Sequence, residues 1–367
     1  MTRCLKHLFS IPALFKDFRS HNQAPLYIKT FDGSDSPFHP TVLYFPTGWN
    51  GHCYWMSESP YPPKALPYRD RWECPCIHVS DDGIHWYEPD GLVNPIDDVN
   101  EEQISRLGYL SDPHIFLRDN VVECWYRITD RQGNDSYGSD DSMHQLLRRT
   151  SIDGIHWGNR ELLLDISAEF GRELVSQAVL NQDNKYKMWI VDLDKTKINH
   201  YPVIYMESVD AIHWSPMQQC VFCGERISPW HIDVQFFDGQ YWLTCYERIA
   251  AQREGNYFIS GEKVSLWKST DGINYQYEKT LLKTPHIIGS FYSRGFYRSC
   301  LCKVSDSDYR LYFSAVDRDR TYVGLMQGNS PTTMEIISAD GGKHHNWIQF
   351  LSILYHETLE RISARLK

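Results

Sequence analysis

Four carboxylates in this chain sit beside aromatic, proline or imidazole neighbours in the stretches Trp72-Glu73-Cys74-Pro75, Ser111-Asp112-Pro113-His114, Pro229-Trp230-His231-Ile232-Asp233 and Tyr246-Glu247. Clustered carboxylates repel one another, so one is driven to hold its proton while another stays ionised. Glycoside hydrolysis uses such a pair. One carboxyl protonates the leaving oxygen and the other attacks the anomeric carbon or activates water, at separations near 5 Å for retention and roughly 6.5 to 9.5 Å for inversion. Glu73, Asp112, Asp233 and Glu247 are therefore the catalytic candidates. Trp230 offers an aromatic face to a sugar ring, and His39, His231, Arg127, Arg298 and Glu58 are the polar groups expected to bind its hydroxyls. Acids at strand ends also serve as caps and surface ion pairs, which is the competing structural role for each of them. The chemistry calls for no cofactor. An axial ion held by His39, Asp112 and His231 is an alternative, with water-mediated contacts if the ion is calcium, because imidazole is a poor calcium ligand.

These residues are far apart in sequence, and a repeat is what would gather them. The phrases Ser80-Asp-Asp82-Gly-Ile-His-Trp86, Ser151-Ile-Asp153-Gly-Ile-His-Trp157, Ser208-Val-Asp210-Ala-Ile-His-Trp214 and Ser269-Thr-Asp271-Gly-Ile-Asn-Tyr275 recur at a spacing of about 60 residues, the signature of a radial or stacked architecture. Ser and Asp side chains fold back onto turn amides, Gly tolerates positive φ, and the aromatic residue opens a new strand. Aligning on the phrase predicts inner strands at His39–Leu43, Asp112–Phe116, Ser176–Leu180 and His231–Gln235, and second strands centred on Trp55, Trp125, Trp189 and Trp242. A fifth unit keeps the rhythm through Tyr297–Cys300, Tyr312–Ser314 and Tyr322–Leu325. The expected fold is all-β, a five-bladed β-propeller over residues 38–338, preceded by an N-terminal segment at 1–37. Over 339–367 the apolar residues Trp347, Phe350, Leu351, Leu354, Ile362 and Leu366 fall at helical spacing. They predict a C-terminal amphipathic helix that packs on the propeller or forms the seam of a homodimer.

In such a ring the inner strands start, and the second strands end, at one face. His39, Asp112, Ser176, His231 and Arg298 would stand at the inner starts. Glu58, Arg127, Asp192, Glu247 and Asp317 would stand at the second-strand ends, with Glu73, His144 and Glu262 at the third-strand starts.

The 367 residues carry a net charge of −10, which opposes nucleic acid binding, and 14% aromatic residues, including 12 Trp and 23 Tyr, which suit interlocked blades and sugar-stacking surfaces. No stretch approaches the roughly 18 apolar residues a spanning helix needs, so no membrane insertion is expected. Met1 to Phe18 is interrupted by Pro12 and lacks a small-residue cleavage site, so it does not read as a signal peptide. The pairs Cys74/Cys76, Cys220/Cys223 and Cys300/Cys302 could be half-sites for a metal. Their strand-like neighbours favour packing as reduced thiols, and ten cysteines without a disulfide framework point to a reducing, cytoplasmic setting.

The Ser-x-Asp-Gly-x-x-Trp hairpins and the Asp112-Pro113 opening of the second inner strand resemble the five-bladed propeller glycosidases of glycoside hydrolase families 43 and 32 and their phosphorylase relatives, over residues 38–338. The resemblance implies a base or nucleophile on blade one, an Asp that orients substrate on blade two and an acid Glu on blade three, and sometimes an axial calcium. Asp112 matches the second role. At the blade-one position this chain has His39-Pro40, and at the third inner strand it has Ser176 with Glu173 three residues earlier. Glu73 lies in a tetrad similar to that around the family 32 acid, but before the Asp-Pro element and on blade one. The departures leave several readings. Glycosidic cleavage by a pair rebuilt from Glu73, Asp112, Asp233 and Glu247 is the first. A non-catalytic glycan-binding propeller in polysaccharide assembly or processing is the second. A phosphorylase using Arg127, Arg248 and Arg298 is the third. Each has a saccharide as its partner.

Overall fold

The computed structural model describes residues 23–61, 73–106, 108–129, 143–167, 172–194, 201–224, 227, 229–253, 256–283, 290–317 and 320–339. Five antiparallel sheets form the blades of a propeller. Blade 1 comprises Pro37–Trp49, His52–Pro60 and Cys76–Ser80; blade 2, Tyr109–Arg118, Val121–Thr129, His144–Ser151 and Glu161–Asp165; blade 3, Arg172–Gln182, Lys185–Asp194, Val203–Ser208 and Gln218–Gln219. Blade 4 comprises Pro229–Phe237, Gln240–Arg253, Asn256–Ser269 and Asn274–Lys283, with Val221–Cys223 added as a parallel fifth strand, and blade 5 comprises Gly295–Ser305, Asp308–Asp317, Arg320–Gly328 and Glu335–Ile337. The uniform four-strand unit holds for three blades. In blade 1 the fourth strand shrinks to a single bridge between Val79 and Tyr87. Pro89 and Pro95 follow, and neither can donate to a ladder. Among the described residues the only helix is Glu101–Ser105, capped reciprocally by Asn100 and Gln103. The expected C-terminal helix and any dimer through it fall on residues 340–367, outside the described residues.

The recurring phrase makes a turn that also locks neighbouring blades. In each copy the Asp carboxylate accepts two backbone N–H bonds and a Ser hydroxyl, as Asp153 does from Ile155 N (2.9 Å), His156 N (2.8 Å) and Ser151 Oγ (3.0 Å). Its fourth partner is the His156 ring, whose Nδ1 lies 2.7 Å from the second oxygen. The central Trp of one blade then covers the turn of the next. Trp189 Nε1 donates to Gly272 O at 2.6 Å, Trp55 packs on Gly154, and Trp125 meets Trp214 at right angles. Tyr312 takes that place in blade 5 and donates to Gly83 O of blade 1 at 3.0 Å. Blade-to-blade packing therefore forms five apolar clusters, each built from the Trp or Tyr face of one second strand and the opposite face of the next blade.

Residues 23–31 fasten the ring where blade 5 meets blade 1. Leu26 N donates to Val323 O, Ala339 N to Ala24 O, and Lys29 O lies 3.0 Å from His78 Nε2 of blade 1. Around the axis the inner strands are tied by side chains: Thr41 Oγ1 donates to Pro113 O, Ser176 Oγ to Ile232 O and Thr244 Oγ1 to Ser299 O, while His39 N donates to Ser314 Oγ. Such ties satisfy backbone groups that the narrow axial end of a sheet would otherwise leave buried and unpaired.

Candidate functional site

Each inner strand slips register near its start. The shifts lie between Phe38 and Thr41, Ser111 and His114, Val175 and Ala178, Pro229 and His231, and Phe296 and Ser299. Where the bulge falls, His39, Asp112 and Ser176 take φ values of 54°, 55° and 54°. A bulge inserts a residue and re-aims a side chain. Here it brings His39, Asp112 and His231 together on the axis, and all three are buried.

Asp112 is the centre of this group. Its Oδ2 accepts from Arg127 Nε at 2.8 Å and from Ser176 N at 3.0 Å. Its Oδ1 faces His39 Nε2 and His231 Nδ1, each at 3.6 Å. Burial would raise the carboxyl, but the guanidinium of Arg127, with that of Arg298, outweighs it and holds Asp112 well below the usual carboxylate range. Burial lowers His39 to about 4 and His231 well below its ordinary value, despite the pull of Asp112, so both rings are neutral. His39 Nδ1 is paired with Ser59 Oγ at 2.8 Å. With that nitrogen carrying the proton, Nε2 presents its lone pair to the axis. Neither ring nitrogen of His231 has a hydrogen-bond partner among the described residues. A neutral imidazole buried with two unpaired nitrogens is costly unless something binds it.

One ligand atom from each of His39, Asp112 and His231 lies within 4.8 Å of the others. Two neutral imidazoles and one ionised carboxylate fit a borderline divalent cation better than calcium, which prefers oxygen. The axial-ion alternative drawn from the sequence therefore has a donor set in the structure.

The walls differ in chemistry. The residue just before each axial position is Phe38, Ser111, Val175, Trp230 and Tyr297 around the ring, so the aromatic ones fall on the adjacent blades 4, 5 and 1. Tyr297 packs on His231 with ring centroids 3.9 Å apart and stacks on Phe38 at 4.9 Å; Trp230 Nε1 donates to its hydroxyl at 2.7 Å. Tyr201 lies edge-on to Trp230 at 5.9 Å. Blades 2 and 3 supply the charged side, where one Arg127 guanidinium also donates to Glu173 Oε1 at 2.7 Å and to Thr129 Oγ1 at 3.2 Å.

The other expected residues are distributed as follows. Glu73, at φ 55° and nearly buried, donates its N–H to Pro60 O, which sets it at the same end of blade 1 as His39. Asp233 lies on the axis two residues past His231, with Gln235 Nε2 at 3.0 Å and His114 Nδ1 at 3.7 Å, and burial raises its carboxyl. Glu247 accepts from Ser265 Oγ at 2.5 Å and has Lys263 Nζ at 3.5 Å, both within blade 4. Glu58 faces His78 at 3.8 Å, on the side of blade 1 where residues 29–32 pack, and burial pushes it well above its ordinary range. Arg298 is fully buried and donates to main-chain carbonyls. The residues not chosen from sequence are Ser59, Tyr297, Gln177 and Glu173. For Tyr297 the available signal was its place before Arg298, equivalent to Trp230 before His231.

No protein-family model matches the chain. It is 22% identical over 390 residues to the A type blood N-acetyl-alpha-D-galactosamine deacetylase of Flavonifractor plautii, an alignment covering 93% of this chain and 48% of the relative. The chain thus spans about half the length of the curated relative it matches. The structure of an N-acetylgalactosamine deacetylase from F. plautii, in complex with blood group B trisaccharide, superposes with a TM-score of 0.67 at 21% identity, over 84% of this chain and 95% of that one. The GH43_1 enzyme from Xanthomonas citri complexed with xylotriose gives 0.55 at 11% identity, over 91% and 98%. A GH32 beta-fructofuranosidase from Bombyx mori gives 0.55 at 10% identity, over 93% and 71%. The fold is the five-bladed propeller shared by these glycosidases and the deacetylase, as the sequence resemblance implied.

Proposed function

We propose that this chain is a carbohydrate-active hydrolase whose axial site binds a divalent cation and removes an N-acyl group from an amino sugar of a glycan. The observation that carries the reading is the convergence of His39, Asp112 and His231, with neither nitrogen of the buried His231 hydrogen-bonded among the described residues. The deacetylase named above, alike over most of this chain, supports the choice of an amide over a glycosidic bond.

His39, Asp112 and His231 would hold the cation. When bound, it supplies Lewis-acid polarisation to a carbonyl oxygen. Ser59 keeps His39 in the ligating tautomer, and Arg127 keeps Asp112 ionised and aimed. Glu173, which shares Arg127 with Asp112, and Glu73, at the same end of blade 1 as His39, are the carboxylates assigned to hold or move a proton. Trp230 and Tyr297 stack on the sugar and set its acyl arm toward the axis. The nine cysteines among the described residues, all free thiols, support a reducing compartment as the setting of this reading.

Glycosidic cleavage by paired carboxylates is the second reading, supported by Asp112 and Glu173 sharing one guanidinium. The two are separated by incubating the full chain, chelator-treated or reloaded with zinc, manganese or cobalt, with N-acetylated oligosaccharides while measuring acetate and new reducing ends. The expected result is acetate release that depends on the ion and is lost in His231→Ala and Asp112→Asn. Reducing ends without acetate, insensitive to chelator, would establish the second reading instead.

A further inference from the structure

Arg298 comes from the inner strand of blade 5, has no exposed surface, and crosses to the opposite side of the ring. Burying a guanidinium is strongly unfavourable unless its donors are well used. Its hydrogen bonds go to Asp112 O at 3.1 Å, Gln177 O at 2.8 Å and His114 Nδ1 at 3.1 Å, none of them to a carboxylate. The Nε has no partner among the described residues. A cation kept in the core for ion pairing would not be arranged this way. Two of its three bonds end on backbone oxygens at the bulges of blades 2 and 3.

Those bulges decide where Asp112 points. Asp112 is a non-glycine residue at φ 55°, a left-handed conformation that is strained for an L side chain and persists only when its surroundings impose it. The same Asp112 carbonyl also accepts from Gln177 Nε2, whose amide reaches Trp125 O as well. On the far side, Thr41 Oγ1 of blade 1 takes the next carbonyl, Pro113 O, at 3.1 Å. Donors from blades 5, 3 and 1 thus hold the main chain of one blade-2 bulge. His114 is seated by the same hub. Its Nε2 lies 3.0 Å from Val179 O and 2.9 Å from Val179 N, and its Nδ1 lies 3.1 Å from the Arg298 guanidinium.

We infer that Arg298, assisted by Gln177, is a positioning residue that fixes the Asp112 bulge and so sets the approach of its carboxylate to the imidazoles of His39 and His231, and that it does not contact substrate. The inference rests on the axial group being a cation site, as proposed above.

The test uses the full chain and cobalt(II) as the probe, followed by its visible ligand-field spectrum and by calorimetric titration. In Arg298→Lys the chain keeps a charge but cannot span both carbonyls. It is expected to bind cobalt roughly 10- to 100-fold more weakly, the range seen when outer partners of metal ligands are removed, and with a shifted spectrum. Gln177→Met, which spares the buried charge, is expected to shift both in the same direction by less, and serves if Arg298→Lys fails to fold. Arg148→Met removes a partly buried arginine that pairs with Glu123 and Glu161 within blade 2 and donates to Tyr186 of blade 3, and should leave affinity and spectrum unchanged. Wild-type affinity and spectrum in both axial variants would overturn the inference alone. Failure of the wild type to bind cobalt would sink the cation reading. A crystal structure of Arg298→Lys or Gln177→Met then judges the clamp independently: an unmoved Asp112 bulge refutes it, and a relaxed one sustains it.

Discussion

Replacing Gly154 by Ala probes whether the recurring turn is an inter-blade lock. Gly154 has φ +76°, and a Cβ there would stand 2.1 Å from Trp55 Cζ3, 2.3 Å from Cη2 and 3.1 Å from Trp49 Cζ3. Carbon atoms pack at about 3.5 to 4 Å, so Trp55 would have to retreat by roughly 1.5 Å. It cannot do so cheaply. The ring is 1% exposed, its Nε1 donates to Trp49 O at 3.1 Å, and Trp49 meets it edge-on at 4.9 Å. Overpacking of this kind costs about 1 to 3 kcal/mol, left-handed backbone at Ala adds about 1 to 2, and the stiffer unfolded chain returns about 0.4 to 1. The net loss is about 3 kcal/mol, which for a chain of 367 residues is a fall of roughly 4 °C in the melting midpoint. Scanning calorimetry measures it. The control is built into the protein, because blade 3 carries Ala211 at φ 65° in the same turn. Ala211→Gly should be nearly neutral, since relief of backbone strain is offset by added unfolded-state freedom. Equal melting points for Gly154→Ala and wild type would refute the lock, as would a loss in Ala211→Gly as large as in Gly154→Ala. Trp55 shares its strand with Ser59, so the loosened variant should also bind an axial ion less tightly.

Two further outcomes follow from the site and its surroundings. Burial raises Glu58 above its unfolded value near 4.3, so its contribution to stability is full below that pH and is lost as pH climbs toward the folded value; Glu58→Gln should melt progressively higher than wild type as pH goes from 4.5 to 8, and a gap that does not widen would contradict this. Trp230→Ala removes a stacking face and the donor to the Tyr297 hydroxyl, and steady-state kinetics on an N-acetylated glycan should show KM raised roughly 10-fold with kcat little changed; a loss confined to kcat would place Trp230 in the chemistry instead.

The arrangement of residues along each strand explains which of the expected residues face the neighbouring blade. The Trp of a second strand faces the following blade, so a residue two or four positions later shares that face and one three or five later does not. Arg127 is two past Trp125 and reaches blade 3 through Glu173; Ser59 is four past Trp55 and reaches His39. Glu58 is three past Trp55 and Glu247 five past Trp242, and both turn away to His78 and to Ser265. Treating all strand ends as equivalent overlooked this parity. Arg298 obeys the inner-strand alignment but lies fully buried among backbone oxygens instead of at the mouth, a distinction that depends on the depth of the bulge.

Blade number, strand order and the composition of the turns were present in the sequence because each depends on neighbours within about ten residues: paired Ser and Asp at a turn, an alternating strand, a Trp at its centre. Which side chains meet on the axis was settled only by the closed ring. Register slips that leave His39, Asp112 and Ser176 in left-handed backbone are held by hydrogen-bond partners from other blades, up to 275 positions distant in the case of Ser314 and His39. No local pattern encodes a constraint of that range, and it is this constraint that turns two histidines and an aspartate toward one point.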